Sequence, residues 1–253
     1  MKIGSLACLG AAALVMSLSA DVTAPNTFGV MKVTCDAKKV IIATPWVSCE
    51  NIDAAVKVTN LVMTANLAQY DAVIVYDNGQ FKAWQLDSSL VWQPTAVTDI
   101  GATTIAGDAS SEAITRGNGF WFVKSDYTSG TYDLYLYGQS TAASATSTVA
   151  ANAYNLLANP KTVSATPTFG FTPNASDQIQ IPSGVANYPP VTYTYKGASG
   201  WGTEVPKTVT INARPPNEGT ISVTQMVWTA GCSIPAGRGF WYISKGGSGT
   251  ITW

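Results

Sequence analysis

The chain has 253 residues, 46% of them hydrophobic and only 11% charged, with a formal net charge of −1. It is long enough for one large or two ordinary domains with a real core, and its charged share is less than half of the usual quarter or so. No basic surface is available to neutralise phosphates, so nucleic acid is not an expected partner. The sequence holds no histidine, which removes the commonest general base and transition-metal ligand.

In chain order, Lys2 opens a short positive region and Ile3 to Val15 is apolar and small. Ser17-Leu18-Ser19 then gives a small-x-small pattern, so residues 1–19 read as a signal peptide and the mature chain is expected to start near Ala20. A membrane anchor is the rival reading, but the stretch is barely long enough to span. No later apolar run reaches spanning length, so a secreted or cell-surface protein without a membrane span in its mature chain is expected. The mature part keeps Cys35, Cys49 and Cys232. In an oxidising compartment Cys35 and Cys49 are the expected disulfide, because both flank one strand-turn unit. Cys232 is then odd, which means a buried thiol or a bond to another chain.

Ile41-Ile42-Ala43 and Asp71 to Tyr76 read as strands. Between them, Asn51 to Leu67 is the only helical candidate of any length, weakened by its β-branched residues. Asp77-Asn78-Gly79 predicts a hairpin into Phe81-Lys82-Ala83-Trp84. Trp92, the block Ile114-Thr115-Arg116-Gly117-Asn118-Gly119-Phe120-Trp121 and the aromatic strand Tyr132 to Tyr137 follow.

The same order then recurs. Leu156-Leu157-Ala158-Asn159-Pro160 parallels Ile41 to Pro45, Asp177 to Ile181 parallels Asp71 to Val75, and Tyr193-Thr194-Tyr195 and Trp201 follow. Ile234-Pro235-Ala236-Gly237-Arg238-Gly239-Phe240-Trp241 repeats the late block. This predicts an all-β protein of two tandem β-sandwich-like or barrel-like modules, residues 20–139 and 152–253, joined by an Ala/Ser/Thr linker over 140–151. The glycines of the repeated block suit a positive φ or a close backbone approach. One of its two aromatics is expected to fill the core.

The Asn-Pro turn, the aromatic strand and the closing Gly-x-Gly-Phe-Trp strand resemble a broad group of tandem modules in bacterial secreted proteins. Members of that group often carry Gly-Asn-Pro-Tyr early and Gly-Gln-Gly-Phe-aromatic late. Here Asn159-Pro160 stands between Ala158 and Lys161, and the first copy has only Thr44-Pro45-Trp46. The resemblance implies a secreted or surface-exposed β module and no activity.

No catalytic set and no metal set is evident. Gly-x-Ser-x-Gly and Cys-x-x-Cys are absent, and Gly237-Arg238-Gly239 enters a strand, unlike a phosphate loop. Asp71 and Asp177 hold equivalent places and read as turn residues accepting local N–H bonds. A histidine-free glycosidase would need two carboxylates facing across a groove. The acidic loops Asp99–Asp108 and Asp126–Asp133 leave calcium as the one cofactor to weigh. Trp84, Trp92, Tyr193 and Trp201 are the candidate ligand-binding residues, because flat aromatics stack on sugar rings. Three readings result: a non-enzymatic structural or adhesive protein that self-associates through β edges, a module that binds surface glycans, and the glycosidase.

Overall fold

A computed structural model describes residues 28–48, 55–60, 62–63, 67–77, 79–96, 107–109, 111–141, 143–186, 189–212 and 220–253. At 62–63, 206–212 and 220–226 the backbone alone is described. The expected signal peptide and Cys49 lie outside these residues.

The described residues form an all-β structure, as the short β-branched and aromatic runs demand. The first half contains β1 (Phe28–Cys35), β2 (Lys39–Ala43), β3 (Val56–Lys57), β4 (Val62–Met63), β5 (Ala72–Asp77), β6 (Gln80–Leu86), β7 (Trp92–Thr95), β8 (Ala113–Ile114), β9 (Gly119–Val123) and β10 (Tyr132–Gln139). The second contains β11 (Thr146–Val149), β12 (Tyr154–Ala158), β13 (Thr168–Phe169), β14 (Gln178–Ile181), β15 (Val191–Tyr195), β16 (Trp201–Asn212), β17 (Thr220–Ala230), β18 (Gly239–Ile243) and β19 (Gly249–Thr252).

The strands form a three-stranded sheet β1-β10-β4 over a five-stranded sheet β2-β9-β5-β6-β7, with β3 and β8 paired beside them. In the second half, β11-β19-β13 lies over the six-stranded β12-β18-β14-β15-β16-β17. The connections of the first half thus recur in the second, with β17 added at the edge. Asp77 pairs with Gln80, so β5 and β6 are joined by a two-residue turn in which Gly79 takes φ +80°. That is the hairpin expected from Asp-Asn-Gly.

Each pair of sheets closes on its own core. The first gathers Ile42, Val73, Trp84, Phe120, Phe122, Leu134 and Leu136, and the second Leu157, Ile179, Ile181, Phe240, Tyr242, Ile251 and Trp253. Of the repeated Phe-Trp pairs, Phe120 and Phe240 fill the cores while Trp121 and Trp241 are half-buried.

The two halves pack against each other through equivalent residues used reciprocally. The Ala43 amide donates to Gly237 O at 2.9 Å, and the matching Ala158 amide donates to Gly117 O at 2.8 Å. Ile42 bridges to Arg238, and the matching Leu157 bridges to Asn118. This explains both glycines of the repeated block. Gly117 and Gly237 take φ +90° and +63°, where a side chain would be strained. Gly119 and Gly239 let the other half approach. A Cβ at Gly119 would sit 2.7 Å from Leu157 O, and one at Gly239 would sit 2.1 Å from Ile41 Cγ2.

Two expectations change. Thr146–Val149, within the expected linker, is β11 and pairs with β19. Its alternation is carried by small residues, with Ala145, Ser147 and Val149 buried between exposed threonines, so it lacks the bulky period-2 signal. The described part of Asn51–Leu67 is two short strands and a 3-10 turn, in keeping with its β-branched content. The terminal strand β19 lies between β11 and β13 and closes its own sheet, with Trp253 N–H bonded to Ala145 O.

Candidate functional site

Asp71 and Asp177 are both completely buried, at the same point of their sheets. Each carboxylate caps its own turn: Ala68 N–H donates to Asp71 at 3.0 Å and Asn174 N–H to Asp177 at 3.0 Å. Each also ties down the chain leaving the late strand, through Ser125 N–H at 2.8 Å and Lys245 N–H at 2.7 Å. The remaining partners differ, and Asp71 alone also accepts from Ser125 Oγ at 2.9 Å. Asp71 meets the buried Lys124 ammonium at 3.0 Å, whereas Asp177 accepts from Tyr242 Oη at 2.6 Å. Burial and this bond to a carboxylate push the Tyr242 phenol well above its ordinary value. These are saturated structural acceptors, as the turn reading expects.

Several other described acids are also engaged. Lys82 joins Asp77 at 3.3 Å and Glu112 at 3.2 Å, Lys124 holds Asp126 at 2.6 Å, and Lys32 holds Asp133 at 2.8 Å. Among the described residues no three His, Cys, Asp or Glu side chains stand close enough to hold a metal ion. Asp99 lies outside them.

The candidate aromatics do not form one exposed strip. Trp84 is fully buried and its indole N–H donates to Gly107 O at 2.7 Å, so it belongs to the core and is not a stacking platform. Trp92 is half-buried against the first core. Tyr193 packs on the second core and donates its hydroxyl to Ser233 O at 3.2 Å. Trp201 stacks on Phe169 with ring centroids 5.3 Å apart. Alternation alone could not separate these half-inward positions from outward ones.

Cys35 and Cys232 are buried free thiols, and burial pushes both up to about 12. The Cys35 Sγ lies 3.7 Å from Val33 O. Its expected partner Cys49 is outside the described residues. The burial of Cys232 matches the simpler of its two readings.

The Asn-Pro turn is also structural. Asn159 is fully buried and its amide donates to Val163 O, Ile234 O and Pro235 O at 2.9, 2.8 and 3.2 Å. It thereby pins the segment leading into Gly237.

An open groove of about 670 Å³ lies over β15, β16 and β17, lined among others by Thr192, Thr194, Lys196, Glu204 and Trp228. The Lys196 ammonium sits 4.1 Å from the Trp228 ring centroid and 3.0 Å from Glu204. Gly202 lies beneath the indole, since a Cβ there would be 2.6 Å from it. Lys196 and Gly202 thus both lie against this tryptophan.

The feature that the sequence reading missed is the β16–β17 ribbon. Its strands have 12 and 11 residues and pair from Gly202–Ala230 to Asn212–Thr220. Only Trp201 and Gly202 also pair with β15. From Thr203 onward, among the described residues, the ribbon runs on as two strands alone for about 30 Å. The signal for it is two runs rich in β-branched residues, Thr208–Ile211 and Thr220–Val223, around Pro215-Pro216.

The hydrogen-bond phase of the ribbon follows from one bond. Gly231 N–H donates to Trp201 O at 2.7 Å, one step before the Gly202–Ala230 pair. In an antiparallel ladder such pairs alternate. Val223, Gln225 and Val227 therefore bond to β16, while Ser222, Thr224, Met226 and Trp228 turn their amides to the outer edge.

Compared with known proteins, the chain matches no family model, no curated protein and no solved structure. Among the described residues no helix is long and apolar enough to cross a membrane.

Proposed function

We propose that this is a secreted or cell-surface structural or adhesive protein without enzymatic activity, built as two copies of one module and self-associating through a β edge. The observation that carries the reading is the outer edge of β17, which pairs with no further strand among the described residues, on a ribbon that extends past its sheet. Exposed edges of this kind template pairing with another chain. The low charge of the chain supports it, since little repulsion keeps copies apart. So does the engagement of Asp71 and Asp177, which leaves neither carboxylate to act as an acid or base.

Light scattering and negative-stain microscopy on residues 20–253, with and without reductant, test this. Discrete oligomers or filaments are expected in both conditions, because Cys232 is buried. A monomer at every concentration removes the reading. Glycan binding is the second reading and rests on the groove beside Trp228. Binding on a glycan array that is lost in Trp228→Ala would favour it.

A further inference from the structure

We infer that β17 pairs antiparallel with β17 of a second copy, about a two-fold axis at Gln225. This rests on the self-association reading and names its contact.

The first argument is how the chain treats its other edges. β2 and β12 are covered by the opposite half, through the reciprocal bonds of Ala43 and Ala158. The C-terminal end of β1 is covered by residues 184–186, where Cys35 bridges to Val185. β4 and β13 have two residues each. β7 contains Pro94. The outer side of β16 contains Pro206, at a position of the phase that turns away from β17, together with Glu204. Prolines, charges, short length and cover are the devices that keep edges from pairing. β17, with the sequence Thr-Ile-Ser-Val-Thr-Gln-Met-Val-Trp-Thr-Ala, has no proline and no charge over 11 residues, and no strand among the described residues covers its outer edge.

The second argument is stability. A two-stranded ribbon by itself is marginal in water, and three or more strands are needed. Pairing two arms makes a four-stranded unit and joins the two six-stranded sheets into one.

The third argument selects a second copy as the occupant. β17 carries no charged residue, so pairing with itself brings no like charges together. An antiparallel pair of identical strands is also the self-complementary contact of a two-fold dimer. The phase agrees. A centre at Gln225 sets Thr224 opposite the partner's Met226 and Ser222 opposite the partner's Trp228, all with outward amides. Gln225 then faces the partner's Gln225 as a non-hydrogen-bonded pair, with Cα atoms about 4.5 Å apart.

Three variants of residues 20–253 test this by sedimentation and non-reducing gels. Thr224→Pro removes one outward amide and leaves the β16 ladder whole. It is expected to weaken dimerisation by about 100-fold while near-ultraviolet circular dichroism stays unchanged. Gln225→Cys is expected to give a covalent dimer on mild oxidation, because that Cα spacing lies within disulfide reach. Thr229→Cys faces the partner's Ile221 and is expected to give none. A monomeric wild type overturns both the contact and the self-association reading. A dimer that tolerates Thr224→Pro and does not cross-link at residue 225 overturns the contact alone. If Thr224→Pro fails to fold, the two cysteine variants decide.

Discussion

Adding one methyl group at Gly119 or Gly239 measures how tightly the two halves are held. Neither glycine has a positive φ, so alanine there brings no backbone strain and the whole effect is steric. At Gly119 the new Cβ would be 2.7 Å from the Leu157 carbonyl oxygen and 3.3 Å from Ile41 Cγ2. An ordinary contact needs 3.4 Å or more, so backbone on the opposite half must move. At Gly239 the clash is 2.1 Å with Ile41 Cγ2 and 3.1 Å with the Ile41 backbone carbon. Overpacking of this kind costs roughly 1–3 kcal/mol. With backbone involved, we expect about 2–3 kcal/mol for each, or a fall in Tm of about 4–12 °C. Urea unfolding of both variants measures this, with Gly107→Ala as the control because a Cβ there meets nothing within 4 Å. The decisive variant is Gly239→Ala combined with Ile41→Ala, which deletes the clashing Cγ2. The pair should cost less than the sum of its parts by at least about 1 kcal/mol, since contacting residues are not additive. Full additivity would refute the reciprocal packing, because Ile41 and Gly239 would then not touch.

Asp71→Asn should destabilise more than Asp177→Asn. The first takes the buried carboxylate from the Lys124 ammonium, with a side chain only 6% exposed, and leaves it only the exposed Asp126, at about 3 kcal/mol, the lower end for a broken buried pair. The second misplaces one backbone donor at about 1–3 kcal/mol, and equal losses in chemical denaturation would refute the distinction. Stability should fall as pH rises from about 9 to about 12. The thiols of Cys35 and Cys232 are raised to about 12 in the fold, so the folded state holds protons that the unfolded state has released. Their stabilisation is complete below the unfolded thiol pKa of about 8.5 and is lost through this window. Urea midpoints across that range check it, and Cys232→Ala should flatten the slope.

The sequence revealed what depends on period and punctuation. The Asn-Gly turn, the alternation of β10 with Leu134 and Leu136 inward between its tyrosines, and the recurrence of Gly-x-Gly-Phe-Trp are all local signals. The equivalence of Asp71 and Asp177, and their role as turn acceptors, were legible for the same reason. The hidden parts are those set by distant neighbours. Nothing local to Trp84 distinguishes it from Trp92, yet one is sealed beneath Gly107 and the other is half-exposed. β11 looks like a linker in the sequence because the buried positions of Ala145 to Val149 are Ala, Ser and Val, and the close approach of Gly117 to Ser147 is not visible there. The second glycine of each block could be read as a close approach, but what approaches it comes from the other half of the chain.

Hydrogen exchange can read the outer edge of β17 without any substitution. In a lone copy, Val223, Gln225 and Val227 spend their amides on β16, whereas Ser222, Thr224, Met226 and Trp228 offer theirs to water. Fixing a residue's backbone costs about 1–2 kcal/mol, and beyond Thr203 the ribbon recovers this from a single ladder. It should therefore open locally more often than the sheets around Phe120 and Phe240. Pairing with a second copy adds a ladder on the other side. Raising the protein concentration through the dimerisation range should then protect the even-numbered amides strongly and the odd-numbered ones less. Protection that ignores concentration would mean that the edge faces solvent throughout. Protection of odd and even amides alike would mean that the arm is ordered by contact with its face, and pairing along the β17 edge would fail as its explanation.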